Sequence, residues 1–475
     1  MNHIYVKTLG CKVNTFDAHA IENKFKDLGW TLVDSPLSAD VSVVNTCSVT
    51  QNADREARYL ARKFKRDNPD TFVVMTGCYA QTDSAKLAEL ADVDVIVPNE
   101  AKDEITNFVI EQFEAKKIGI EFKKFPESID LVRENKQGHF KSSLTFFDQA
   151  DSTQTRAFVK IQDGCNGFCS YCLIPYARGA SRSVPEAIAL AEIQRLVKIG
   201  TKEIVLTGIH IGDYGVDFLE EDSSDQLIEN AATESEPFVE FVKKVFAIEG
   251  LKRLRISSLE PAELTLGLIK VLHENKDKFC DHFHLPLQSG HDDILKKMRR
   301  KYDSARYKES CEMARKYFPD CCIGADVIPG FPGETEDHFD ATINFIKECG
   351  INYLHVFPYS ARPNTAALKM PGHLPQEIVK RRAATLRDLS DVLKHEYQSR
   401  FIGRDLEILW EKDFDELNRP VGISRNYINL VAFEKGFDFA PGSVSSMKIR
   451  GFSSGRGGRM LGTSSMSASH RELVH

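Results

Sequence analysis

The sequence predicts an α/β protein with three parts: an N-terminal doubly wound α/β domain, a central partial (β/α)6 barrel and a small C-terminal β-barrel. Strand and helix patterns alternate through the first hundred residues, six further strand patterns begin near residue 157, and the pattern after residue 400 is all-β. The predicted segments are a first domain at 1–112, a linker at 113–150, a core at 151–397, a β module at 398–462 and a disordered tail at 463–475.

Composition narrows the class of protein. The chain has 475 residues, of which 42% are apolar and 28% charged, and this excludes a wholly disordered chain. The net charge is −7, so any contact with nucleic acid must come from local basic patches. No apolar run approaches the ~20 residues of a membrane span and no signal-peptide core is present, so we expect a cytoplasmic protein without a membrane partner.

The first domain consists of short apolar strands that alternate with helices. Predicted strands cover residues 4–8, 41–45, 72–75 and 93–97, and predicted helices cover 16–28 and 55–65. The following residues lose this rhythm and are rich in Lys, Glu, Ser and Gln, which predicts the linker.

The central series contains six strands and their connecting helices. The strands are predicted at 158–161, 204–206, 253–256, 283–285, 325–328 and 354–357, and the helices at 185–198, 262–273, 304–317 and 337–348. Parallel strands with helical crossovers close, fully or partly, into a barrel. A stretch at 217–237 carries eight acidic residues and no Lys or Arg, and it is predicted to be a surface loop.

Strand periodicity returns after a helix predicted at 376–400. Leu406, Ile408 and Trp410 alternate with polar neighbours, and residues 427–433 and 444–449 form two further strand patterns. This is typical of a small barrel of the oligonucleotide-binding sort.

Three cysteines at C-x3-C-x2-C spacing follow the first central strand: Cys165, Cys169 and Cys172. Three thiolates on one tight loop hold three corners of a four-iron cluster and leave one iron free for a small chelating cofactor. A structural zinc site requires a fourth ligand, and a redox disulfide needs only two of the thiols. A core role fits poorly with the Asn, Gly and Ser around them. The spacing therefore favours a cluster at the barrel mouth.

A second group of thiols, Cys11, Cys47 and Cys78, follows three predicted strands of the first domain. In an open α/β sheet the ligand site lies outside the carboxyl ends of the strands, so three strands bring three thiols to one edge. Gly10 and Gly77 precede two of them and allow the backbone to approach a bulky cluster. We expect a second cluster with one open iron, and three unrelated strand-end thiols are the alternative.

The loop of Cys165, Cys169 and Cys172 resembles the signature of radical S-adenosylmethionine (SAM) enzymes. With the second thiol group, the chain resembles their methylthiotransferase branch, which joins a three-cysteine domain, a radical SAM core and an RNA-binding TRAM module. The resemblance implies two [4Fe–4S] clusters: one binds SAM and cleaves it to a 5′-deoxyadenosyl radical, and the other carries or supplies sulfur. It also implies two SAM per product, a flavodoxin- or ferredoxin-type reductant and a sulfur donor.

The segment Cys11-Lys12-Val13-Asn14 looks like the subgroup that acts on N6-threonylcarbamoyladenosine at position 37 of tRNA, next to the anticodon. Residues 206–212 and 355–360 are similar to the same subgroup. The resemblance thus implies transfer of a methylthio group to C2 of this nucleoside. The same chemistry on isopentenyladenosine in tRNA, or on an Asp of a ribosomal protein, stays open at this point.

Further candidate cofactor-binding residues follow the barrel strands. In radical SAM enzymes the place of Thr207 and Gly208 usually holds the SAM amino group. Ser257 and Glu260 follow the third strand, Gln288 follows the fourth, and all of them are expected at the same mouth. Turns with polar caps are the alternative.

Two basic patches are candidates for RNA contact, with ordinary charged surfaces as the alternative. The first shares one predicted helix face after Cys47 and comprises Arg55, Arg58, Arg62 and Arg66. The second lies in the β module and comprises Lys448, Arg450, Arg456 and Arg459, with Asn426 and Tyr427 as a stacking surface. A basic run at 296–301 is expected to hold phosphate, to neutralise a cluster, or to form a solvated helix end.

Two other classes of protein are weighed against this one. A two-cluster electron carrier is disfavoured because such carriers normally complete four protein ligands per cluster. A zinc-dependent RNA-binding module would contain no iron or inorganic sulfide. The remaining thiols are expected in the core and are Cys280, Cys311, Cys321, Cys322 and Cys349.

Overall fold

The computed structural model describes residues 1–126, 155–219, 237–433, 439–453 and 458–464. The strands of the N-terminal domain are β1 His3–Thr8, β2 Thr31–Leu32, β3 Val41–Thr46, β4 Phe72–Gly77 and β5 Val95–Pro98. They form one parallel sheet with the order β2-β1-β3-β4-β5. The helices of this domain are Lys12–Asp27, Gln51–Asp67, Cys78–Thr82, Ser84–Ala88 and Ile105–Lys117.

Both faces of this sheet are covered, as its apolar strands require. Val43 and Val74 belong to a core with residues of the helices Lys12–Asp27 and Ile105–Lys117. The opposite face packs against the helix Gln51–Asp67 in a second core. The strand order reverses between β1 and β3, and such a switch point opens a crevice at the carboxyl ends of the strands.

In the part of the central domain that the structure describes, there are six parallel strands and a short hairpin. In chain order these strands are β6 Arg156–Lys160, β7 Gln162–Asp163, β8 Arg182–Ser183, β9 Glu203–Thr207, β10 Arg253–Ile256, β11 His282–His284, β12 Cys322–Val327 and β13 Tyr353–Val356, with β7 and β8 forming the hairpin. The helices are Ile174–Arg178, Glu186–Lys198, Pro237–Phe246, Leu266–Glu274, Asp292–Lys297, Ser304–Tyr317, Glu336–Glu348 and Gln376–Ser399. Strands β6, β9 and β10 form one sheet and β11, β12 and β13 a second. A bridge between Leu254 and Phe279 connects the two sheets.

Alternation along these strands separates an apolar face from a polar one. Residues such as Ile204, Leu254 and Ile323 pack with the surrounding helices in one large core. The intervening residues point to the other face, the barrel interior, and many of them are charged or polar. The barrel interior is therefore the place where polar chemistry can be assembled.

The C-terminal module is a closed five-stranded barrel. Its strands are β14 Asp405–Phe414, β15 Pro420–Ser424, β16 Asn429–Ala432, β17 Val444–Phe452 and β18 Met460–Ser464. Trp410, Leu430 and Ile449 are fully buried in its centre. This architecture confirms the predicted fold class of an α/β protein with a partial barrel and a small β-barrel.

Several predicted boundaries differ from the structure. The linker predicted to begin at 113 is wrong there, because the helix Ile105–Lys117 continues through it and buries Phe113 in the first core. Residues up to 126 also belong to this domain, since the amide of Ile96 donates to the carbonyl of Lys124 (2.9 Å). The tail predicted from 463 is wrong at Thr463 and Ser464, because both pair with β17, and residues 465–475 lie outside the described residues.

Other differences have local causes. The helix predicted at 16–28 begins at Lys12, directly after the turn at Gly10. The helices Ile174–Arg178 and Asp292–Lys297 span five and six residues, too short to give a helical pattern. Most of the predicted acidic loop, and residues 127–154, lie outside the described residues. Within the described residues, no helix combines the length and apolarity needed to cross a bilayer.

Candidate functional site

The three N-terminal thiols lie at the carboxyl edge of the first sheet. Cys11 caps the helix that follows β1, Cys47 follows β3 and Cys78 begins the helix after β4. Because β3 pairs in parallel with both β1 and β4, the three strand ends are neighbours. Cys11 is exposed, and Cys47 and Cys78 are buried. The thiols thus converge at the switch point of the sheet.

Glycine allows this convergence. Gly10 has a φ of +94°, and a Cβ there would lie 2.7 Å from Cys47 Sγ. Gly77 has a φ of +93°, and a Cβ there would lie 2.4 Å from the carbonyl oxygen of Thr46. A side chain at either position would push the strand ends apart, so both glycines are required by close approach as well as by φ.

The loop that follows β7 surrounds its thiols with hydrogen-bond donors. The amide of Gly167 donates to Cys165 Sγ (3.3 Å) and the amide of Ile174 donates to Cys172 Sγ (3.4 Å). Arg300 donates from Nη1 to Cys169 Sγ (3.1 Å). Donors of this kind favour the charged thiolate, which is the form that binds metal.

Burial works against ionisation of several of these thiols. Burial, reinforced by the nearby Cys78, raises the pKa of Cys47 to about 12. Burial also raises the pKa of Cys172, with Cys169 as a second cause. Thiols that are this difficult to ionise become ligands when a bound metal ion supplies the positive charge that compensates the thiolate. The donor set in both groups therefore fits an iron–sulfur cluster.

A buried ion network joins the two thiol groups. Arg178, 2% exposed, donates to both carboxylate oxygens of Asp163 (3.0 Å each) and to Asp17 (3.1 Å). Lys160 bridges the same two carboxylates at 2.7 and 3.2 Å. Burial alone would raise the pKa of Asp17, but the charges of Lys102, Lys160 and Arg178 outweigh it and hold the pKa well below its usual range.

This network fixes the N-terminal domain against the loop of the central domain. Asp17 lies in the first helix, whereas Asp163 and Arg178 flank Cys165, Cys169 and Cys172 along the chain. Asn99 makes a second link, because its amide donates to Cys78 Sγ (3.8 Å) and to the carbonyl of Ala177 (2.7 Å). Both thiol groups therefore lie against the segment Ile174–Arg178.

The predicted Thr207–Gly208 turn is held by Gln162. The Oε1 of Gln162 accepts from the amides of Ile209 (2.9 Å) and His210 (2.8 Å), and a Cβ at Gly208 would lie 3.0 Å from the same oxygen. Thr207 itself is 1% exposed. The turn is thereby fixed next to Cys165, because His210 Nδ1 lies 3.6 Å from Cys165 Sγ.

Two carboxylates flank the imidazole of His210. Burial would lower its pKa, but the carboxylate of Glu263, 2.5 Å from Nε2, outweighs this effect and raises the pKa well above its usual range. Asp213, at 3.2 Å from Nδ1, acts in the same direction. The two carboxylates thus favour the protonated form of His210 beside the thiol of Cys165.

The other predicted cofactor residues follow β10 and β11. Glu260 forms an ion pair with Arg300, which connects it to Cys169. Ser257 and Gln288 are buried, and their amides donate to the carbonyls of Leu206 (3.0 Å) and Asp326 (2.7 Å). The structure thus connects Glu260 to the thiol loop through a side chain, and fixes Ser257 and Gln288 through the backbone.

A polar cluster occupies the barrel interior. Asp326 Oδ1 lies 2.9 Å from His284 Nε2 and 3.3 Å from His355 Nδ1. The hydroxyl of Tyr353 lies 3.3 Å from His284 Nδ1 and 2.8 Å from His282 Nε2. These contacts extend the cluster from the barrel mouth towards the C-terminal module.

The stacking surface predicted at Asn426 and Tyr427 is wrong. Tyr427 stacks on His282 with 4.0 Å between ring centroids, and the guanidinium of Arg255 lies 5.3 Å from the Tyr427 ring. Asn426 is 4% exposed. The ring of Tyr427 is therefore engaged by His282 and Arg255 of the central barrel, and Asn426 is buried, so the two residues do not form an open stacking surface.

The arginines of the first basic patch differ in their exposure and in their side-chain partners. Arg55 and Arg62 are exposed on the helix Gln51–Asp67. On the same helix, Arg58 donates to the Tyr79 hydroxyl (2.5 Å) and Arg66 pairs with Asp67 (3.0 Å). Arg66 stays exposed in this pair, so Arg55, Arg62 and Arg66 remain open at the surface and Arg58 is the member that Tyr79 engages.

In the β module, Lys448 is partly buried, and Arg450 is exposed and donates to Thr463 (2.8 Å). Arg459 is partly buried, and Arg456 lies outside the described residues. In the basic run at 296–301, Arg300 turns inward to Cys169, and its neighbours are exposed. The five cysteines expected in the core are all buried.

Sequence reasoning missed the residues that hold the two thiol groups in place. Asp17, Asp163 and Arg178 carry no local pattern, because their partners lie in another domain. His210 stood in a segment that the sequence singled out, but without a role, and Arg300 belonged to the basic run at 296–301, for which neutralising a cluster was one of three expected roles. A charged residue next to a cysteine loop was the one signal that could have pointed to them.

Comparison with known proteins identifies the family. Residues 159–346 match the Radical SAM superfamily and residues 3–98 match Uncharacterized protein family UPF0004. The chain is 38% identical to Threonylcarbamoyladenosine tRNA methylthiotransferase MtaB of Bacillus subtilis, over 93% of this chain and 92% of that protein. It is 30% identical to the tRNA-2-methylthio-N(6)-dimethylallyladenosine synthase of Syntrophotalea carbinolica, over 86% and 89% of the two chains.

A solved structure shows the same fold. The radical S-adenosylmethionine methyltransferase TsrM from Kitasatospora setae, with cobalamin and a [4Fe–4S] cluster bound, superposes with a TM-score of 0.53 at 14% identity over 77% of each chain. The radical SAM match implies SAM and a [4Fe–4S] cluster as cofactors. The family resemblance seen in the sequence is confirmed, and the chain belongs to the methylthiotransferase family of radical SAM enzymes.

Proposed function

We propose that this protein is a cytoplasmic tRNA methylthiotransferase that adds a methylthio group to C2 of N6-threonylcarbamoyladenosine at position 37. The observation that carries the proposal is the pair of three-thiol groups that meet across one buried ion network. The 38% identity to a protein named as a threonylcarbamoyladenosine tRNA methylthiotransferase supports the choice of nucleoside.

Cys165, Cys169 and Cys172 would hold the [4Fe–4S] cluster that binds SAM, and Cys11, Cys47 and Cys78 would hold a second [4Fe–4S] cluster. Three thiolates at each site leave one iron without a protein ligand, as binding of SAM and of sulfur requires. When bound, the clusters and two SAM molecules supply radical chemistry, sulfur and the methyl group.

The chain itself binds and orients these groups. Gln162 fixes the Thr207–Gly208 turn as a site for the SAM amino group, with Ser257, Glu260 and Gln288 at the same mouth. Arg300 places a positive charge on Cys169 and favours its thiolate. Arg178 holds the N-terminal domain against the thiol loop, so that groups held by the two sets of thiols would act on one substrate.

Basic side chains on two surfaces would contact the RNA backbone. The candidates are the exposed Arg55, Arg62 and Arg66 with Arg58 on the helix Gln51–Asp67, and the exposed Arg450 with the partly buried Lys448 on the β module. Phosphate contacts of this kind give salt-dependent affinity. A flavodoxin- or ferredoxin-type reductant and a sulfur donor would complete the reaction.

Iron and sulfide analysis of anaerobically purified protein tests the two sites. We expect about eight irons per chain in the wild type and about four in a Cys165/Cys169/Cys172 triple alanine variant. Cys311→Ala, which removes a buried core thiol, is the matched control and should retain about eight. About four irons in the wild type and none in the triple variant would contradict the second cluster.

Product analysis separates the roles of the two sites. With dithionite as reductant, the wild type should form 5′-deoxyadenosine from SAM, and Cys169→Ala should abolish this reaction. An electron carrier would not form 5′-deoxyadenosine at all. Cys47→Ala should retain that activity and lose methylthiolation. Full product formation by Cys47→Ala would disprove the role of the N-terminal thiols.

The substrate has one named competitor. The 30% identity to a dimethylallyladenosine synthase makes isopentenyladenosine tRNA the second candidate. Mass spectrometry of tRNA nucleosides from a strain that lacks the protein decides between them. Loss of the methylthio form of threonylcarbamoyladenosine alone supports the proposal. An unchanged pattern would contradict it and direct attention to a ribosomal protein.

A further inference from the structure

One face of the helix Gln51–Asp67 combines exposed arginines with an exposed aromatic ring. A spacing of four, three and four residues keeps four side chains within an arc of about 60° on a helix with 3.6 residues per turn. We call this set the arginine–tyrosine face, and its members are Arg55, Tyr59, Arg62 and Arg66, all exposed. Tyr59 is 55% exposed, so its ring is open to a ligand.

Packing of the helix turns this face outward. The opposite side of the helix is buried against the first sheet through Ala57, Ala61 and Phe64. Among the described residues of this helix, no Asp or Glu lies within the arc. Arg66 pairs with its chain neighbour Asp67 (3.0 Å), and an exposed pair of this kind contributes little stability. The face therefore offers positive charge to an anionic ligand.

The first turn of the helix is anchored at the mouth of the central barrel. The carboxylate of Asp54 pairs with Arg362 (2.6 Å), and both residues are buried. The backbone amide of Gln51 donates to the hydroxyl of Ser360 (3.2 Å). Both partners follow the carboxyl end of β13. Tyr59 lies eight residues beyond Gln51, about 12 Å along the helix, so the face runs outward from the mouth.

The mixture of charge and aromatic ring matches unpaired RNA. Guanidinium groups pair with phosphates of any RNA, whereas an aromatic ring stacks on a base only where the base is unpaired. An enzyme that modifies a base takes it out of the stack, which deprives the adjacent loop base of a stacking partner. An exposed ring close to the mouth can replace that partner.

We propose that Tyr59 stacks on an unpaired base of the anticodon loop next to the modified nucleoside, while the arginines of the face contact the adjoining phosphates. This inference rests on the proposed function and deepens it, because it names the element of tRNA that the N-terminal domain recognises. It assigns a base contact to a helix for which charge alone indicates only backbone contacts.

The test measures RNA binding by the full-length, cluster-loaded enzyme. The ligand is an anticodon stem–loop with threonylcarbamoyladenosine at position 37, and in further RNAs each other loop base is replaced in turn by an abasic nucleotide. Fluorescence anisotropy gives Kd for the wild type, Tyr59→Ala and Tyr59→Phe. Ile199→Ala is the matched control, because it removes another exposed apolar side chain (53%) at the end of the helix Glu186–Lys198.

Tyr59→Ala should bind the intact RNA about 5- to 150-fold more weakly, which corresponds to the loss of one stacked base. Tyr59→Phe keeps the ring and should stay within about twofold of the wild type, as should Ile199→Ala. Removal of the partner base should weaken binding by the wild type and should not weaken binding by Tyr59→Ala any further. The slope of log K against log salt should be unchanged in Tyr59→Ala and smaller by about one in Arg62→Gln.

Three results would refute stacking by Tyr59 and leave the proposed function intact. They are equal binding by Tyr59→Ala and the wild type, an undiminished effect of Tyr59→Ala with every abasic RNA, and unchanged RNA binding together with slower turnover with a protein reductant. The third result would assign the face to a protein partner.

The abasic RNAs also test the wild type alone, so the inference can fail even if Tyr59→Ala does not fold. Binding by the wild type that is insensitive to every abasic substitution would refute it. If the wild type cleaves SAM but does not methylthiolate the intact RNA, the proposed function fails, and the inference fails with it.

Discussion

Replacing Arg178 by Met should loosen the contact between the N-terminal domain and the thiol loop. The guanidinium is 2% exposed and donates to Asp163, Asp17 and Asn14 at 2.5–3.1 Å. Met has a similar volume and no charge, so the change removes the ion pairs and leaves the packing nearly intact. Two buried carboxylates then lose a cationic partner.

The free-energy cost of Arg178→Met depends on the ion pairs that remain in the variant. Removing one partner of a buried ion pair costs about 3–5 kcal/mol. Lys160 continues to contact both carboxylates, at 2.7 Å for Asp17 and 3.2 Å for Asp163. We therefore expect the lower end, about 3 kcal/mol, which corresponds to a factor of roughly 150 in the opening equilibrium.

Native-state amide hydrogen exchange measures this opening. Peptides from the helix Lys12–Asp27 should exchange roughly 150-fold faster in Arg178→Met than in the wild type, provided that exchange is limited by the opening equilibrium. Arg381→Met is the matched control, because Arg381 pairs with Glu336 on the surface. It should change exchange by less than about fivefold. An effect of Arg178→Met no larger than that of the control would refute the reasoning.

Two further predictions concern buried charges. Glu203→Gln deprives two buried guanidinium groups of their carboxylate and should lower the free energy of unfolding at pH 7 by about 3–5 kcal/mol in urea denaturation. Burial opposes ionisation of Glu203, but the charges of Arg255 and Arg253 outweigh this effect and lower the pKa of Glu203 to about 2. The stabilisation is therefore complete above about pH 4.5 and lost as the pH falls towards 2, so the difference between variant and wild type should shrink over this window. Arg300→Met removes a cationic donor from Cys169 and should lower the reduction potential of a cluster bound there by about 60 mV, a tenfold change for one electron. An unchanged potential, or an equal shift in the exposed Arg299→Met variant, would contradict the second prediction.

Local sequence patterns predicted the architecture well. Alternating apolar segments and helical periodicity identified the strands of both α/β domains, since the side-chain period of each element is a property of its own residues. The position of each thiol directly after a strand predicted that Cys11, Cys47 and Cys78 meet at one sheet edge. Parallel strands bring their carboxyl ends together whatever the rest of the fold does. Element boundaries were less accurate, as the helix that continues to Lys117 shows.

The contacts between domains were not predictable in this way. The aromatic ring of Tyr427 suits stacking on an RNA base, yet in the structure it stacks on His282 of the central barrel. Arg178 lies in a short helix without any pattern, yet it carries the link between the two thiol groups.

The sequence by itself determined the fold class, the two groups of three thiols and the family, because spacing and periodicity are written in neighbouring residues. The tertiary structure decided which charges are buried, which are paired and which surfaces stay open to RNA. Those properties depend on which face of one domain packs against another. The free energy of that packing comes from contacts between residues more than a hundred positions apart in the sequence, such as Asp17 and Arg178.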